Sequence, residues 1–172
     1  ASAPDALTLN LSGVTIADNT AVSAATNTVE TVNIVSLIAT NTLNDLQTTL
    51  AGTTTVNISG DQDLTVTTAF DNEVLTINAS TAEGDLNLQT GTGDMTVTLG
   101  SGSDVVVAQN GDNNISGGEG DDAITSGTGD DTLTGGAGAD TIIGGTGADE
   151  IDAGAGDDLV QFAAAADLTA AT

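Results

Sequence analysis

Not one lysine, arginine or histidine occurs in the 172 residues, against 25 aspartates and glutamates, so a formal charge of −25 has nothing within the chain to offset it. Two carboxylates about 4 Å apart repel by about 1 kcal/mol in water, and several-fold more where solvent is partly excluded. Folding therefore needs distance between the acids, or a cation from outside. Phosphate contacts need Lys or Arg, which excludes nucleic acid as a partner; an anionic lipid face is equally unwelcoming. Cysteine is missing too. That removes disulfides and thiolate metal sites, and fits a secreted protein stabilised by something else.

Trp and Tyr are absent, and Phe70 and Phe162 are the only aromatics. A compact globular core leans on aromatics for buried area, so an ordinary globular fold is disfavoured. Enzyme chemistry fails on the same inventory. Without His, Cys, Lys or Tyr there is no Ser-His-Asp set, no zinc-protease helix and no Schiff-base lysine. Paired carboxylates can cleave glycosides, but the best-placed acids here are committed elsewhere, as shown below. No apolar run approaches the roughly 18 residues of a membrane helix, so no membrane span is expected. No charged-then-apolar signal opens the chain. Ala1 and the Ala/Thr-rich end read as fragment edges, which leaves any export signal outside this piece.

What is present is organised by one stretch. From Thr81 to Gln161 the chain divides into nine consecutive nonapeptides with no slip in phase. The fourth place is always glycine: Gly84, Gly93, Gly102, Gly111, Gly120, Gly129, Gly138, Gly147 and Gly156. The eighth is always aliphatic: Leu88, Val97, Val106, Ile115, Ile124, Leu133, Ile142, Ile151 and Val160. The sixth is acidic or amide from the third unit on: Asp104, Asn113, Asp122, Asp131, Asp140, Asp149 and Asp158. A run of Gly and Asp is ordinarily a solvated loop, but three columns held in register over nine units point to a stacked coil.

Glycine at several turn positions lets the backbone take φ > 0 and turn its carbonyls inward. Asp at the sixth place brings a hard oxygen to the same point. Calcium takes six to eight oxygens at about 2.3–2.6 Å and tolerates carbonyls mixed with carboxylates. Zinc, copper and nickel want the nitrogen or sulfur ligands this chain lacks, and magnesium holds its water too tightly for a dry cage. The expected cofactor is calcium. With so thin a core, neutralising the carboxylates decides whether the coil forms, and metal binding is then folding free energy.

Before residue 81 the strands are less regular. Leu7-Thr-Leu9-Asn-Leu11 and Val14-Thr-Ile16 alternate with period two, as strands do. Val29 to Ile38 reads as one or two further strands, with Val32 and Ile34 on one face. Thr40 to Leu50 is open to two readings. Leu43, Leu46 and Leu50 recur at helical spacing, with Asn41 or Thr42 as N-cap and Gly52 beyond the end; an irregular loop is the other. Strands then follow at Val56/Ile58, Leu64/Val66, Leu75/Ile77, Leu86/Leu88 and Val97/Leu99, with turn signals such as Ser59-Gly60-Asp61 between them. The expectation is one all-β solenoid: a Thr/Asn-rich irregular region over 1–80, regular nonapeptide coils over 81–161, and a cap or continuation over 162–172, with Phe162 covering the open end.

The fullest units, Gly117–Thr125, Gly135–Ile143 and Gly144–Asp152, read Gly-Gly-x-Gly-x-Asp-x-U-x with U aliphatic. The segment resembles the calcium-binding repeats of the RTX family of type I-secreted bacterial proteins. The resemblance implies a right-handed parallel β-solenoid (β-roll) in which two nonapeptides make one turn, so that units n and n+2 stack and share an ion. Two ladders follow: Asp104, Asp122, Asp140 and Asp158, with three ions, and Asn113, Asp131 and Asp149, with two, about five calcium ions in all. Asn113 is the weaker ligand, and its site should fill last. Carbonyls of Gly102, Gly118, Gly120, Gly127, Gly129, Gly136, Gly138, Gly145, Gly147 and Gly156 are implied to complete the shells, with Gly118 and Gly120 facing Gly135 and Ala137. Leu86 and Met95 occupy the Asp place in the first two units and cannot ligate.

The Thr/Asn-rich strands Val29-Glu-Thr-Val-Asn-Ile-Val, Val56-Asn-Ile-Ser-Gly-Asp-Gln-Asp-Leu-Thr-Val and Leu75-Thr-Ile-Asn-Ala-Ser look like those preceding RTX units in S-layer proteins of Gram-negative bacteria. This implies a secreted, cell-surface structural protein that self-associates into a lattice or filament when calcium binds, with outer-membrane lipopolysaccharide as a possible anchor. The alternative is an RTX module of a secreted adhesin or hydrolase whose activity lies outside this stretch.

Overall fold

A computed structural model describes residues 6–12, 15–16, 30–43, 53–70, 72 and 74–162. The described strands before the regular repeats are β1 (Ala6–Ser12), β2 (Thr15–Ile16), β3 (Thr31–Leu37), β4 (Asn41–Leu43), β5 (Thr55–Gly60), β6 (Leu64–Val66), β7 (Thr76–Ala82) and β8 (Leu86–Gln89). There follow β9 (Thr96–Thr98), β10 (Val105–Val107), β11 (Asn114–Glu119), β12 (Ala123–Thr125), β13 (Thr132–Ala137), β14 (Thr141–Ile143), β15 (Glu150–Ala155) and β16 (Leu159–Gln161). Odd-numbered strands form one eight-stranded parallel sheet and even-numbered strands the other. Each turn of the chain adds one strand to each sheet, which is a parallel β-solenoid. No helix occurs among the described residues.

Register explains why the eighth place must be aliphatic. In the odd sheet Val32, Val56, Ile77, Val97, Ile115, Leu133 and Ile151 are successive partners. In the even sheet Leu88, Val106, Ile124, Ile142 and Val160 are. Strand side chains alternate between faces, so one aliphatic per three-residue strand meets its counterpart in the space between the sheets. Each residue with a turn on both sides is fully buried, worth about 1.5–3 kcal/mol apiece. Ile151 and Val160, on the last described turn, are only half-buried.

Turn length falls along the chain. Thr31 stands 25 residues after its partner Ala6, Thr55 24 after Thr31, Thr76 21 after Thr55, and Thr96 20 after Thr76. From Thr96↔Asn114 onward the offset is 18, two nonapeptides per turn. The sheets pass through residue 81 without a break, since β7 pairs with β9 and β6 with β8. The wider early turns hold most of the core, including Phe70, which is fully buried.

Three local expectations are corrected. Asn41–Leu43 is strand, not the first turn of a helix, because Leu43 pairs with Val66 and is buried against it; Leu46 and Leu50 lie outside the described residues. Leu75 is 51% exposed, and Val74, Ile77 and Ala79 fill the core in its place. Phe162 is 45% exposed and does not cover the end of the coil; residues beyond it lie outside the description. In the odd sheet β11, β13 and β15 are six residues long, β11 and β13 continuing through Gly117–Glu119 and Gly135–Ala137.

Candidate metal centres

Two ladders of side-chain oxygens run along the turns, aimed in opposite directions. At the sixth place each carboxylate reaches back one turn. The N–H of Leu86 donates to Oδ1 of Asp104 (2.8 Å), Asp104 N–H to Asp122 (2.8 Å), Asp122 N–H to Asp140 (2.8 Å) and Asp140 N–H to Asp158 (2.9 Å). On the other edge Met95 N–H donates to Oδ1 of Asn113 (3.3 Å), Asn113 N–H to Asp131 (2.7 Å) and Asp131 N–H to Asp149 (3.0 Å). Leu86 and Met95 thus end the ladders as main-chain donors, their side chains turned into the core. Asp104, Asn113, Asp122, Asp131 and Asp140 are buried, and Asp149 and Asp158 are half-buried.

At the fifth place the acids reach forward instead. The N–H of Ser103 donates to Asp85 (2.8 Å), Ala139 N–H to Asp121 (2.7 Å), Asp112 N–H to Asp94 (2.9 Å), Asp130 N–H to Asp112 (2.9 Å) and Ala148 N–H to Asp130 (2.8 Å). Asp63 does the same for Asp85 (3.1 Å), before the regular repeats begin. These side chains are exposed or half-buried and satisfy turn amides that no strand partner reaches. Sequence reasoning missed this column, although Asp at Asp85, Asp94, Asp112, Asp121, Asp130 and Asp157 was its signal.

The second oxygen of the sixth-place acids is where metal chemistry enters. Oδ2 of Asp122 and of Asp140 is buried with no donor. A methyl built on Gly117 would meet both Asp122 Oδ2 and the carbonyl oxygen of Gly135; one built on Gly135 would meet Asp140 Oδ2 and the carbonyl oxygen of Ala153. Carboxylate and carbonyl oxygens from adjacent turns therefore converge beside a glycine, with no proton between them. Burying a carboxylate without a partner is costly, and the consequence is a carboxyl that resists ionising. Burial pushes Asp122 up to about 7, helped by the charges of Asp104, Asp140 and Asp121 and opposed by its hydrogen bond from Asp104. Burial likewise pushes Asp104 up to about 6. A hard divalent cation with an appetite for mixed carbonyl and carboxylate oxygen fits this cradle. Among the described residues no three metal-binding side chains come together, because each ladder acid sends one oxygen to an amide; the remaining ligands would be main-chain carbonyls.

The seven acids and amides are not alike at this second oxygen. Asp104 Oδ2 accepts from Gly100 N–H (3.4 Å), and Asp131 Oδ2 accepts from the Ser126 hydroxyl. The Asn113 amide is engaged at both ends by main chain, donating to the Gly111 carbonyl (2.9 Å). Asp149 Oδ2 lies beside Gly144.

The glycines expected as carbonyl ligands stack directly. The carbonyls of Gly102, Gly118, Gly120, Gly127, Gly129, Gly136 and Gly138 lie against the Cα of Gly120, Gly136, Gly138, Gly145, Gly147, Gly154 and Gly156 one turn on. Gly136 shows the constraint: its φ is +124° and a Cβ there would overlap the Gly118 carbonyl, so no other residue fits. The Ala137 carbonyl, expected to face an ion, accepts from Gly120 N–H (2.7 Å). Gly117 and Gly135, at the first place, border the cradles.

Fold and oxygen cradles together define a parallel β-solenoid suited to metal stabilisation. Residues 98–133, 125–160 and 134–167 each match the RTX calcium-binding nonapeptide repeat (4 copies), so this part of the chain carries RTX calcium-binding repeats. Its repeats bind calcium as structural modules and are not catalytic centres; such repeats are typical of secreted, extracellular proteins. No curated protein and no solved structure matches the chain. No helix among the described residues is long and apolar enough to cross a membrane.

Proposed function

We propose that this chain is a structural component of a secreted bacterial surface layer or extracellular filament, which folds and assembles when calcium binds outside the cell. The observation that carries the calcium switch is the pair of buried, donorless oxygens on Asp122 and Asp140 in a chain with no cation of its own. At submicromolar cytosolic calcium the acidic turns stay open, which suits passage through a narrow export channel. At external concentrations they close and cannot slide back.

Support for a lattice role comes from the outer face of the odd sheet. Thr31, Thr55, Thr76 and Thr96 are successive partners there, as are Asn33, Asn57 and Asn78, with Asn57 donating to Asn33 (2.8 Å). These columns offer a flat, uncharged side to a second copy, while calcium offsets the repulsion between copies. Lipopolysaccharide is the proposed anchor, its phosphates bridged by the same cation. The second reading, a module of a secreted adhesin or hydrolase, is favoured by the family match alone. Electron microscopy of the purified chain with calcium separates them: ordered sheets or filaments support the first, and dispersed monomers that bind calcium without assembling refute it.

A further inference from the structure

The turns that bear ladder acids differ at one position that the sixth-place column does not show. On the Asp122 and Asp140 turns the first residue of the nonapeptide is Gly117 or Gly135. The space its side chain would take is bounded by the acid's Oδ2 and by a carbonyl one turn on. Both acids are deeply buried, 2% and 1% exposed, and both Oδ2 atoms lack a donor. On the intervening Asp131 turn the first residue is Ser126, itself buried, and its hydroxyl donates to Asp131 Oδ2.

On the reading that these turns bind calcium, we propose that the first residue of the nonapeptide decides which turns take the ion, and that Ser126 holds the Asp131 turn closed. Calcium requires six to eight oxygens at about 2.3–2.6 Å. A hydroxyl seated in the cradle places a proton on the one carboxylate oxygen that faces it, and fills volume the ion needs. Glycine does neither. Leu99, also buried, holds the first place before Asp104, whose Oδ2 already accepts from Gly100 N–H; that turn is tied by a main-chain donor instead. The stack thus holds turns tied by the protein's own donors beside turns that wait for a cation.

The test is calcium titration into the metal-free full chain by calorimetry, with native mass spectrometry counting ions per chain. Ser126→Gly is expected to add one ion, or to tighten the weakest ion at least about tenfold; Gly117→Ser is expected to remove one. Identical counts and isotherms for wild type and S126G would overturn the proposal. Should S126G fail to gain strand structure in calcium, G117S decides: one ion lost sustains the rule, and an unchanged count defeats it. A wild-type chain that takes up no calcium would sink the calcium reading itself, a result distinct from either variant's.

Discussion

Asp122 gives its two oxygens opposite environments, one satisfied by the Asp104 amide and one left without a proton. Its pKa of about 7, and the value of about 6 at Asp104, lie above the ordinary 3.8. The folded turn therefore holds protons that the unfolded chain has released. The stability this contributes is complete below about pH 4 and is lost as pH climbs through about 6 to 7, an effect on the order of a few kcal/mol. Metal-free protein should accordingly gain strand signal and thermal stability between about pH 8 and pH 5, read by circular dichroism in chelator. A flat profile would show that these carboxyls are ordinary. Calcium should reverse the trend, because protons then compete with the ion. Gly136 makes a second prediction. Gly136→Ala forces a side chain into φ +124° against the Gly118 carbonyl, a strain of about 1–3 kcal/mol before the overlap is counted. The calcium concentration for half-folding should rise at least about tenfold, whereas exposed Ala137→Ser should leave it unchanged.

A nonapeptide is a strand residue that faces inward and a turn that must satisfy its own amides. The inward residue was fully legible from its nine-residue column, whereas two units per turn came from the resemblance to RTX repeats. Ile124 sits between Val106 and Ile142, and Ile124→Ala should cost about 2–5 kcal/mol, measured as a drop in melting temperature with calcium present. The turn was half legible. The sixth-place acid announces itself by regularity, but its split allegiance to an amide and to a cradle depends on which way each oxygen points, and spacing carries no such information. The fifth-place acids are exposed and interrupted by Ser103, Ala139 and Ala148, so they read as a solvated face. Asp112→Ala tests their role. Removing the acceptor for Asp130 N–H should cost about 0.5–1.5 kcal/mol with no change in the number of calcium ions bound. A lost ion would mean the two columns share one task. Leu75 misled for a simpler reason: it shares the phase of Ile77 and Ala79, but the strand begins only at Thr76, and in the turn before it Val74 takes the core place.

Among the described residues, seventeen of the twenty-three buried apolar side chains lie at or before Leu99, whereas the ladder acids all follow it. The molecule is one continuous pair of sheets with two sources of stability, hydrocarbon at one end and cation at the other. Hydrogen exchange in chelator should leave amides between Thr31 and Leu99 protected and expose those from Gly111 onward, with calcium restoring the latter. Uniform loss of protection along the chain would contradict this division. The overall winding was legible through the resemblance that the repeats carry; the depth of the early core was not, since Val74, Ala79 and Phe70 follow no repeat. The falling turn length has a directional consequence. A broad first section that closes without metal offers its free edge as a template, so the narrow section winds outward from a seed already in place. Growth of the coil then has one direction, each completed turn preparing the landing for the next.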